Sequence, residues 1–222
     1  TFQSDANLNL QLQQSQRAIT VTGGGGQTAT VNATLPSSIE VSLTDDFGNP
    51  VSSAVLTAEG DGNLVFPQTD ASGKTSANWT LGTTAGTQQQ TLSLTGYQNA
   101  TVNATANPGP VSTEQSSVTT TTQVVADNNS TALVTITVTD AYGNPIAGQN
   151  VSITVSGDEN NFAQPGVTNA SGQVQTTVTT KKAESKTVTV SVNGTDLSNT
   201  ADIIFVHGNA TQINLTANPN AL

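Results

Sequence analysis

The sequence predicts an all-β protein made of two similar antiparallel β-sandwiches in tandem. Three observations predict it. Apolar and polar residues alternate with a period of two, helical spacing with capping signals is nearly absent, and segments recur about 95 residues apart in a chain of 222 residues. One apolar and one polar face, in strands about 10 residues apart, is typical of two antiparallel sheets packed face to face. We expect about seven strands in each unit; a barrel is the alternative.

Two turn sequences each occur twice in the chain. Asp46-Phe47-Gly48-Asn49-Pro50-Val51 returns 94 to 95 residues later as Asp140-Ala141-Tyr142-Gly143-Asn144-Pro145-Ile146. Thr69-Asp70-Ala71-Ser72-Gly73-Lys74 returns after 99 residues as Thr168-Asn169-Ala170-Ser171-Gly172-Gln173. We attribute the difference in offset to small loop insertions. A fixed period is typical of arrays of similar domains, which are interpreted first as spacers or display devices.

Strands are predicted wherever apolar residues recur at every second position. In the first unit these residues are Val31, Ala33, Ile39, Val41, Leu43, Leu64, Phe66, Ala77, Trp79, Leu81, Leu92, Leu94, Val102 and Ala104. In the second unit they are Val134, Ile136, Val138, Val151, Ile153, Val155, Val174, Val178, Val188, Val190, Val192, Ile203 and Phe205. Phe66 corresponds to Phe162 at an offset of 96.

Gly-Asn-Pro sequences are expected to form tight turns between strands. In Gly48-Asn49-Pro50 and Gly143-Asn144-Pro145, Gly supplies a positive φ, Asn tolerates left-handed geometry and Pro ends the strand ladder. Asp46 and Asp140 are expected to accept backbone hydrogen bonds within their own turns. A second pair of turns is expected at the repeated Ala-Ser-Gly sequence.

The domain boundary is predicted near Gly109, where two prolines flank one glycine and favour a short, semi-stiff, extended link. We therefore divide the chain into an N-terminal segment at 1–18 that fits neither repeat, a first unit at 19–108 and a second unit at 109–207. Residues 208–222 are either the start of a third repeat or a C-terminal tail. Because position 1 is not Met, we expect the chain to begin within a longer protein or after processing.

The composition excludes several classes of partner. The net charge is −10 with five Lys and Arg, so no basic patch is available for nucleic acid or for anionic lipid. The absence of Cys excludes disulfides and thiolate metal sites. No run of about 18 apolar residues is present, so any membrane attachment is expected to involve domains outside these residues.

The repeats resemble a known family. Residues 140–148, the strand Val151–Val155 and Asn169-Ala170-Ser171-Gly172 are similar to the bacterial immunoglobulin-like (Big_1) repeats of the intimin and invasin type. Residues 211–222 look like the opening of another such repeat. The segment 78–88 resembles one that is common in the immunoglobulin-like repeats of large bacterial surface proteins. The resemblance covers about residues 20 to 222.

The resemblance implies immunoglobulin-like sandwiches strung in tandem outside a bacterium, as a stalk that holds a distal adhesive domain. We therefore expect a non-enzymatic display stalk of a cell-surface adhesin, extracellular and either anchored in the outer membrane or secreted. Its expected partners are neighbouring repeats of the same chain, with a host-cell or glycan receptor left open. The alternative function is a carbohydrate- or receptor-binding accessory module of a secreted protein. Homophilic contact between chains is a third hypothesis.

Carboxylates in predicted loops at the sandwich ends are the candidate metal ligands: Asp45, Asp46, Asp61, Asp158 and Glu159. Calcium takes six to eight oxygen ligands, and Asp61-Gly62-Asn63 supplies part of such a pattern. No complete calcium loop is present in the sequence. We therefore expect no cofactor, with calcium between domains as the alternative.

No catalytic site is predicted. His207 is the single His and falls in a predicted linker, and no strand-turn-helix nucleophile elbow precedes any Ser. Trp79 has the inward phase of its strand and is expected in the core, whereas a sugar-stacking role would need it to point outward. Tyr142 is expected to be structural, because Phe47 occupies the equivalent position and has no hydroxyl.

The sequence bears on two covalent modifications. An isopeptide bond shared by both units would need Lys74, but its counterpart is Gln173, so such a cross-link is not expected. The sequence Asn-x-Ser/Thr occurs eleven times, which makes glycosylation a secondary hypothesis. A small solvated hairpin tip is expected to contain Lys181, Lys182, Glu184 and Lys186.

Overall fold

The computed structural model describes residues 17–209, and every regular element in this range is a β-strand. The strands divide into two compact units, with the division between Asn107 and Pro108. Each unit has its own core of buried apolar side chains. In the part of the chain that the structure describes, no helix is long and apolar enough to cross a membrane. The predicted start of a third repeat, and most of the N-terminal segment, lie outside the described residues.

Among its described residues, the first unit contains nine strands. They are β1 (Ala18–Gly23), β2 (Thr28–Thr30), β3 (Ile39–Thr44), β4 (Thr57–Gly60), β5 (Asn63–Leu64), β6 (Lys74–Ala77), β7 (Trp79–Thr80), β8 (Gly86–Ser93) and β9 (Ala100–Asn107). One sheet has the order β1-β3-β6 and another the order β2-β9-β8-β4, and β5 pairs with β7. All pairs are antiparallel except β2 with β9, which run parallel.

Up to residue 209, where the described part of the chain ends, the second unit contains ten strands. They are β10 (Ser117–Thr120), β11 (Gln123–Val125), β12 (Ala132–Thr137), β13 (Asn150–Val155), β14 (Asn161–Phe162), β15 (Gly166–Val167), β16 (Gln173–Thr179), β17 (Ser185–Val192), β18 (Thr195–Asp196) and β19 (Ala201–Val206). One sheet has the order β10-β12-β16-β14. The other has the order β11-β19-β17-β13-β15, with β18 on β17 and β11 parallel to β19.

The alternating residues form the two cores, because successive side chains of a strand point to opposite faces. Ile39, Val41 and Leu43 of β3 are at most 1% exposed, whereas Glu40 between them is exposed. The same pattern runs along β17, where every second residue is buried. The prediction of an all-β sandwich with one apolar face per sheet is thus confirmed.

In each unit the first segment of chain contributes to both sheets. β1 pairs with β3, and the chain then crosses over so that β2 pairs with β9. The crossing runs through Gly23-Gly24-Gly25-Gly26, where Gly24 has φ of 80° and a Cβ atom on it would collide with the carbonyl oxygen of Ser38. Glycine is required there because the backbone approach leaves no room for a side chain.

The strand count exceeds the predicted seven per unit for a physical reason. The crossing divides the first segment into two short strands in each unit, and the chain at Asn78 separates β6 from β7 where β16 runs without interruption. The second unit adds two short strands, β15 and β18, at its sheet edge and after its last hairpin turn. The alternative of a barrel is wrong for the described residues, since the sheets of each unit are separate.

Candidate functional site

The repeated sequences form a pair of interlocked turns, which we call the double turn: residues 45–50 with 69–74 in the first unit, and 140–145 with 168–173 in the second. In the first unit, Asp45 Oδ1 accepts hydrogen bonds from the backbone N–H groups of Phe47 and Asn49 at 2.9 and 2.8 Å. Asn49 Nδ2 donates to Asp45 Oδ2 at 3.1 Å. The residue that organises this turn is therefore Asp45 and not Asp46, because the two turns align at a constant offset of 95.

Asp140 plays the same part in the second unit and makes one contact more. Its Oδ1 accepts from the backbone of Tyr142 and Asn144, both at 2.9 Å, as predicted. Its Oδ2 accepts from Asn144 Nδ2 and from the backbone N–H of Gly109, both at 2.8 Å. Asp140 is fully buried. A buried carboxylate with four hydrogen-bond donors thus fixes the first residues of the second unit.

Burial and hydrogen bonding have opposite effects on the pKa of Asp140. Burial raises the pKa, but the hydrogen bonds from Asn144, Gly109 and Tyr142 together outweigh it, so the pKa of the carboxyl lies below its usual range. At Asp45 the hydrogen bonds from Asn49 and Phe47 likewise hold the pKa below its usual range. Both groups are therefore carboxylates at neutral pH.

The second turn of each pair is organised by a side-chain oxygen of the same geometry. Asp70 Oδ1 accepts from the backbone of Ser72 and Lys74 at 2.8 and 2.9 Å. Asn169 Oδ1 accepts from Ser171 and Gln173 at 2.9 and 3.0 Å. An amide and a carboxylate serve equally here, since only one oxygen is used.

Backbone contacts join the second turn of each pair to the segment that precedes the first turn. The N–H of Leu43 donates to Gly73 O at 2.8 Å, and the N–H of Val138 donates to Gly172 O at 2.8 Å. Gly73 and Gly172 each have φ of 70°, and a Cβ atom would lie 2.6 Å from Leu43 O or 2.5 Å from Val138 O. Because no side chain fits that space, glycine is required at both positions.

The calcium candidates of the first unit are occupied by other contacts. Asp45 holds its turn, and Asp46 forms an ion pair with Arg17 at 3.3 Å. Asp61 Oδ2 accepts from the backbone of Gln89 at 2.9 Å. In the second unit Ser156 Oγ accepts at the corresponding place, so the contact that Asp61 makes is a structural one that both units share.

The calcium candidates of the second unit lie on an exposed loop. The side chain of Asp158 is 85% exposed and pairs with Lys182 at 3.5 Å, and Glu159 is exposed with φ of 58°. Between residues 17 and 209, no group of three or more acidic or His side chains is arranged to hold a metal ion. The structure therefore does not bring the five predicted carboxylates together.

The structure also describes the aromatic residues and the His named in the sequence analysis. His207 is exposed, and its Nδ1 lies 3.2 Å from Gly208 O. Trp79 is 0% exposed and donates from Nε1 to Asp61 O at 2.8 Å, which confirms its core position. Phe47 and Tyr142 are 88% and 50% exposed at the equivalent turn position. A structural role for the ring of Tyr142 stays a prediction.

Lys186 is a polar core residue that the sequence analysis placed wrongly. Instead of lying at a solvated tip it is 0% exposed, and its Nζ donates to Glu184 Oε1 at 2.7 Å and to Asp158 O at 2.8 Å. Lys182 pairs with the same carboxylate at 3.2 Å. The hydrogen bond from Lys186 has the largest effect on Glu184 and, together with the contact from Lys182, it holds the pKa of this carboxyl below its usual range. The alternation along β17 indicates this burial, because Lys186 lies on the same inward face as Val188.

Polar and apolar residues together line two surface depressions of the sandwiches. One of about 450 Å³ is lined by Asn150, Val151, Ser152, Asn193 and Gly194. Another of similar volume is lined by Thr22, Glu40, Val41, Asp70, Lys74, Thr75 and Ser76. No aromatic ring lines either one, so neither offers the stacking surface that sugar binding would favour.

Comparisons with known proteins match part of this chain to a bacterial domain family and to a longer bacterial protein. Residues 114–206 match the family described as bacterial Ig-like domain (group 1). The chain is 30% identical over 177 residues to the inverse autotransporter adhesin YeeJ of Escherichia coli (strain K12). That alignment takes in 74% of this chain but only 8% of the length of YeeJ.

Two solved structures share the fold. A structure of FdeC, described as an Escherichia coli adhesin, is 22% identical with a TM-score of 0.59, over 88% of this chain and 65% of that one. A structure of Yersinia pseudotuberculosis InvD is 21% identical with a TM-score of 0.55, over 90% of this chain and 60% of that one. At these identities the similarity concerns the fold alone.

Proposed function

Residues 114–206 form a group 1 bacterial immunoglobulin-like domain, and from this premise we propose that the chain is a two-unit segment of the stalk of a bacterial cell-surface adhesin. Its function is to add length and to display a distal binding domain. The relationship to an adhesin of much greater length supports the proposal, because this chain matches only 8% of it.

The proposal rests on the set of side chains that the two units share. The shared groups are those that build the double turn: Asp45 and Asp140, Asn49 and Asn144, Thr69 and Thr168, Gly73 and Gly172. The exposed charges are not shared, since Asp46 corresponds to Ala141 and Lys74 to Gln173. A chain that repeats its scaffold and varies its surface is typical of a spacer.

The proposal includes the absence of enzymatic activity and of a resident metal. The single His is exposed, and the buried charged groups, Asp140 and Lys186, are committed to turn and core contacts. A general acid or base would need to meet a second polar group in a cleft. The described residues offer no such pairing around His207.

The location that follows is the bacterial cell surface, with attachment to the outer membrane through parts of the protein outside these residues. The partners along the chain are neighbouring repeats, and a receptor would be bound by a distal domain. The surface of the two units suits this role, because the net charge of −10 disfavours aggregation.

An exchange experiment tests the proposal. In cells that display the parent protein, residues 17–209 would be replaced by two unrelated immunoglobulin-like domains of the same length. We expect adhesion to be retained after the exchange and to fall when the two units are deleted, because only length would matter. Loss of adhesion in the exchanged protein, at equal surface display, would instead show that these units contact the receptor.

A further inference from the structure

The outer edge of β4 in the first unit differs from the equivalent edge in the second. The two double turns align these strands at an offset of 95, so Leu56, Thr57 and Ala58 correspond to Val151, Ser152 and Ile153. Both strands lie beside the last hairpin of their sheet, β4 on β8 and β13 on β17. The comparison therefore concerns the same strand in two copies of one fold.

In the second unit this edge is closed along its length. β15 pairs with Asn150 and Val151 of β13. The side-chain amide of Gln164 then takes the place of a further strand residue, since its Oε1 accepts from Ile153 N at 2.8 Å and its Nε2 donates to Ile153 O at 3.1 Å. Asn160 Nδ2 donates to Val155 O at 3.1 Å. Covering an edge in this way prevents pairing with another chain.

In the first unit the covering segment is shorter, and its residue Thr69 bonds to Ser53 and Ala54, which precede Leu56. Phe66 corresponds to Phe162 at an offset of 96 and Thr69 to Thr168 at 99, so the second unit has three more residues between these points. Those residues belong to the segment that carries Gln164 and β15. The first unit has only Pro67 and Gln68 there, and β4 pairs with β8 alone among the described strands.

The direction of the free backbone groups follows from the pairing with β8. Asp61 donates its N–H to Gln89 O at 3.0 Å, as Ser156 does to Thr187 O. Alternation along an antiparallel pair then turns the N–H and C=O groups of Leu56 and Ala58 away from β8, the direction in which Ile153 binds Gln164. Within residues 17–209, these outward groups of Leu56 and Ala58 have no partner.

We propose that this open edge of β4 pairs antiparallel with the β4 edge of a second copy of the chain, about a two-fold axis at Thr57. Leu56 then bonds to Ala58 of the second copy and Ala58 to its Leu56, giving four backbone hydrogen bonds. The inference concerns the edge itself and goes beyond the stalk function.

The side chains of β4 suit pairing with themselves. Thr57 faces Thr57 across the axis, a favourable cross-strand pair. Glu59 faces Val55, which is 56% exposed, so the two Glu59 carboxylates do not oppose each other directly. Residues 55–60 contain neither Pro nor Lys, the residues that most often protect an edge. The net charge of −10 per chain predicts an association that strengthens as salt screens the repulsion.

Single cysteines test the pairing, because the chain has no Cys of its own. Thr57→Cys is expected to form a disulfide-linked dimer under mild oxidation, since facing Cβ atoms in such a pair lie about 5 Å apart. Ser152→Cys is the matched control: it is equally on an exposed face of the equivalent strand, but the edge there is closed. We expect the first variant to cross-link at least about tenfold faster. Equal rates would overturn the proposal.

Sedimentation of the unmodified 222-residue chain and two further variants completes the test. We expect the fraction of dimer to increase with protein concentration. In Ala58→Pro, which removes an outward N–H, we expect the affinity of dimerisation to be lower by about tenfold or more. Replacing Pro67-Gln68 by the sequence of residues 163–167 should also abolish dimers by supplying a covering strand. Circular dichroism confirms that both variants fold. A chain that stays monomeric at high salt, or a covered variant that still dimerises, would refute the proposed pairing.

Discussion

At the scale of single residues, the two oxygens of Asp140 have different requirements. Oδ1 accepts two backbone N–H groups, a task that the amide oxygen of Asn169 performs in the neighbouring turn. Oδ2 accepts from two donors, Asn144 Nδ2 and Gly109 N. An amide nitrogen in place of Oδ2 would face both of these donors. Only a carboxylate therefore satisfies the site.

From this difference we predict that Asp140→Asn lowers the free energy of unfolding of the second unit by about 1–3 kcal/mol, the cost of buried donors without an acceptor. Asp70→Asn is the matched control and should be nearly neutral, because Asp70 uses one oxygen and its counterpart is Asn169. Urea unfolding of both variants measures the difference. Equal losses in the two variants would contradict this account of Oδ2.

The same carboxylate predicts a dependence of stability on pH. Because the pKa of Asp140 is lower in the folded state, its stabilisation is present above the unfolded value of about 3.9 and is lost as the pH falls through the folded value. We expect the stability difference between the wild type and Asp140→Asn to be constant near neutral pH and to shrink below about pH 4. Thermal unfolding between pH 2 and pH 7, roughly the window around that value, checks this.

At the scale of elements, a polar side chain enters the core at the same position of the last hairpin in both units. Ser93 faces Thr57 and Ser191 faces Ser152, which aligns β8 with β17 at an offset of 98 and Gln88 with Lys186. Gln88 is 2% exposed and binds the backbone of Gly82 and Thr84. Lys186 binds Glu184 and the carbonyl of Asp158. Each side chain ties a loop to the hairpin.

This arrangement predicts unequal effects of removing the two partners in the second unit. Lys186→Met replaces a buried ammonium with an apolar chain of similar volume and should change the free energy of unfolding by no more than about 1 kcal/mol. Glu184→Ala leaves the ammonium of Lys186 buried without its carboxylate. It should therefore lower the thermal midpoint more than Lys186→Met does. A midpoint for Glu184→Ala at or above that of Lys186→Met would show that the pair does not stabilise the unit.

The elements show where sequence reasoning succeeds and where it fails. Strand alternation predicted the core, including Trp79, because inward and outward phases follow from backbone geometry alone. Lys186 departs from the expectation for a charged residue because its inward phase in β17 decides its burial. The sequence alone does not distinguish Asp45 from Asp46, because two adjacent carboxylates cannot be ranked without the turn that one of them closes. The closure of the β13 edge by Gln164 depends on a contact between segments, which a pattern along one strand does not contain.

At the scale of the whole molecule, each unit has a separate core. Ile39, Leu43 and Trp79 belong to the first, and Val134, Ile136 and Val188 to the second. We therefore predict that residues 108–222 expressed alone fold and unfold in one cooperative transition, with a thermal midpoint within a few degrees of its value in the full chain. Calorimetry measures both midpoints. Failure of the isolated unit to fold would show that its stability depends on the first unit.

The positions of the carboxylates determine how both units respond to calcium. The carboxylates predicted as calcium ligands are engaged in turns and ion pairs or lie apart, so calcium has no multidentate site among residues 17–209. We expect millimolar calcium and excess EDTA to leave both thermal midpoints unchanged. An increase of several degrees with calcium would indicate a site that binds only the folded chain.

The crossing of the first segment has a consequence for a chain under tension. β2 and β9 run parallel, as do β11 and β19, and each pair joins the beginning of a unit to its end. When the two ends of a unit are pulled apart, these strands are drawn past each other in opposite directions. The hydrogen bonds from Gly26 to Asn103, Thr105 to Gln27 and Val31 to Asn107 are then loaded together in shear, instead of opening one at a time as in an unzipped hairpin. When a unit is pulled at its two ends, these hydrogen bonds therefore share the load.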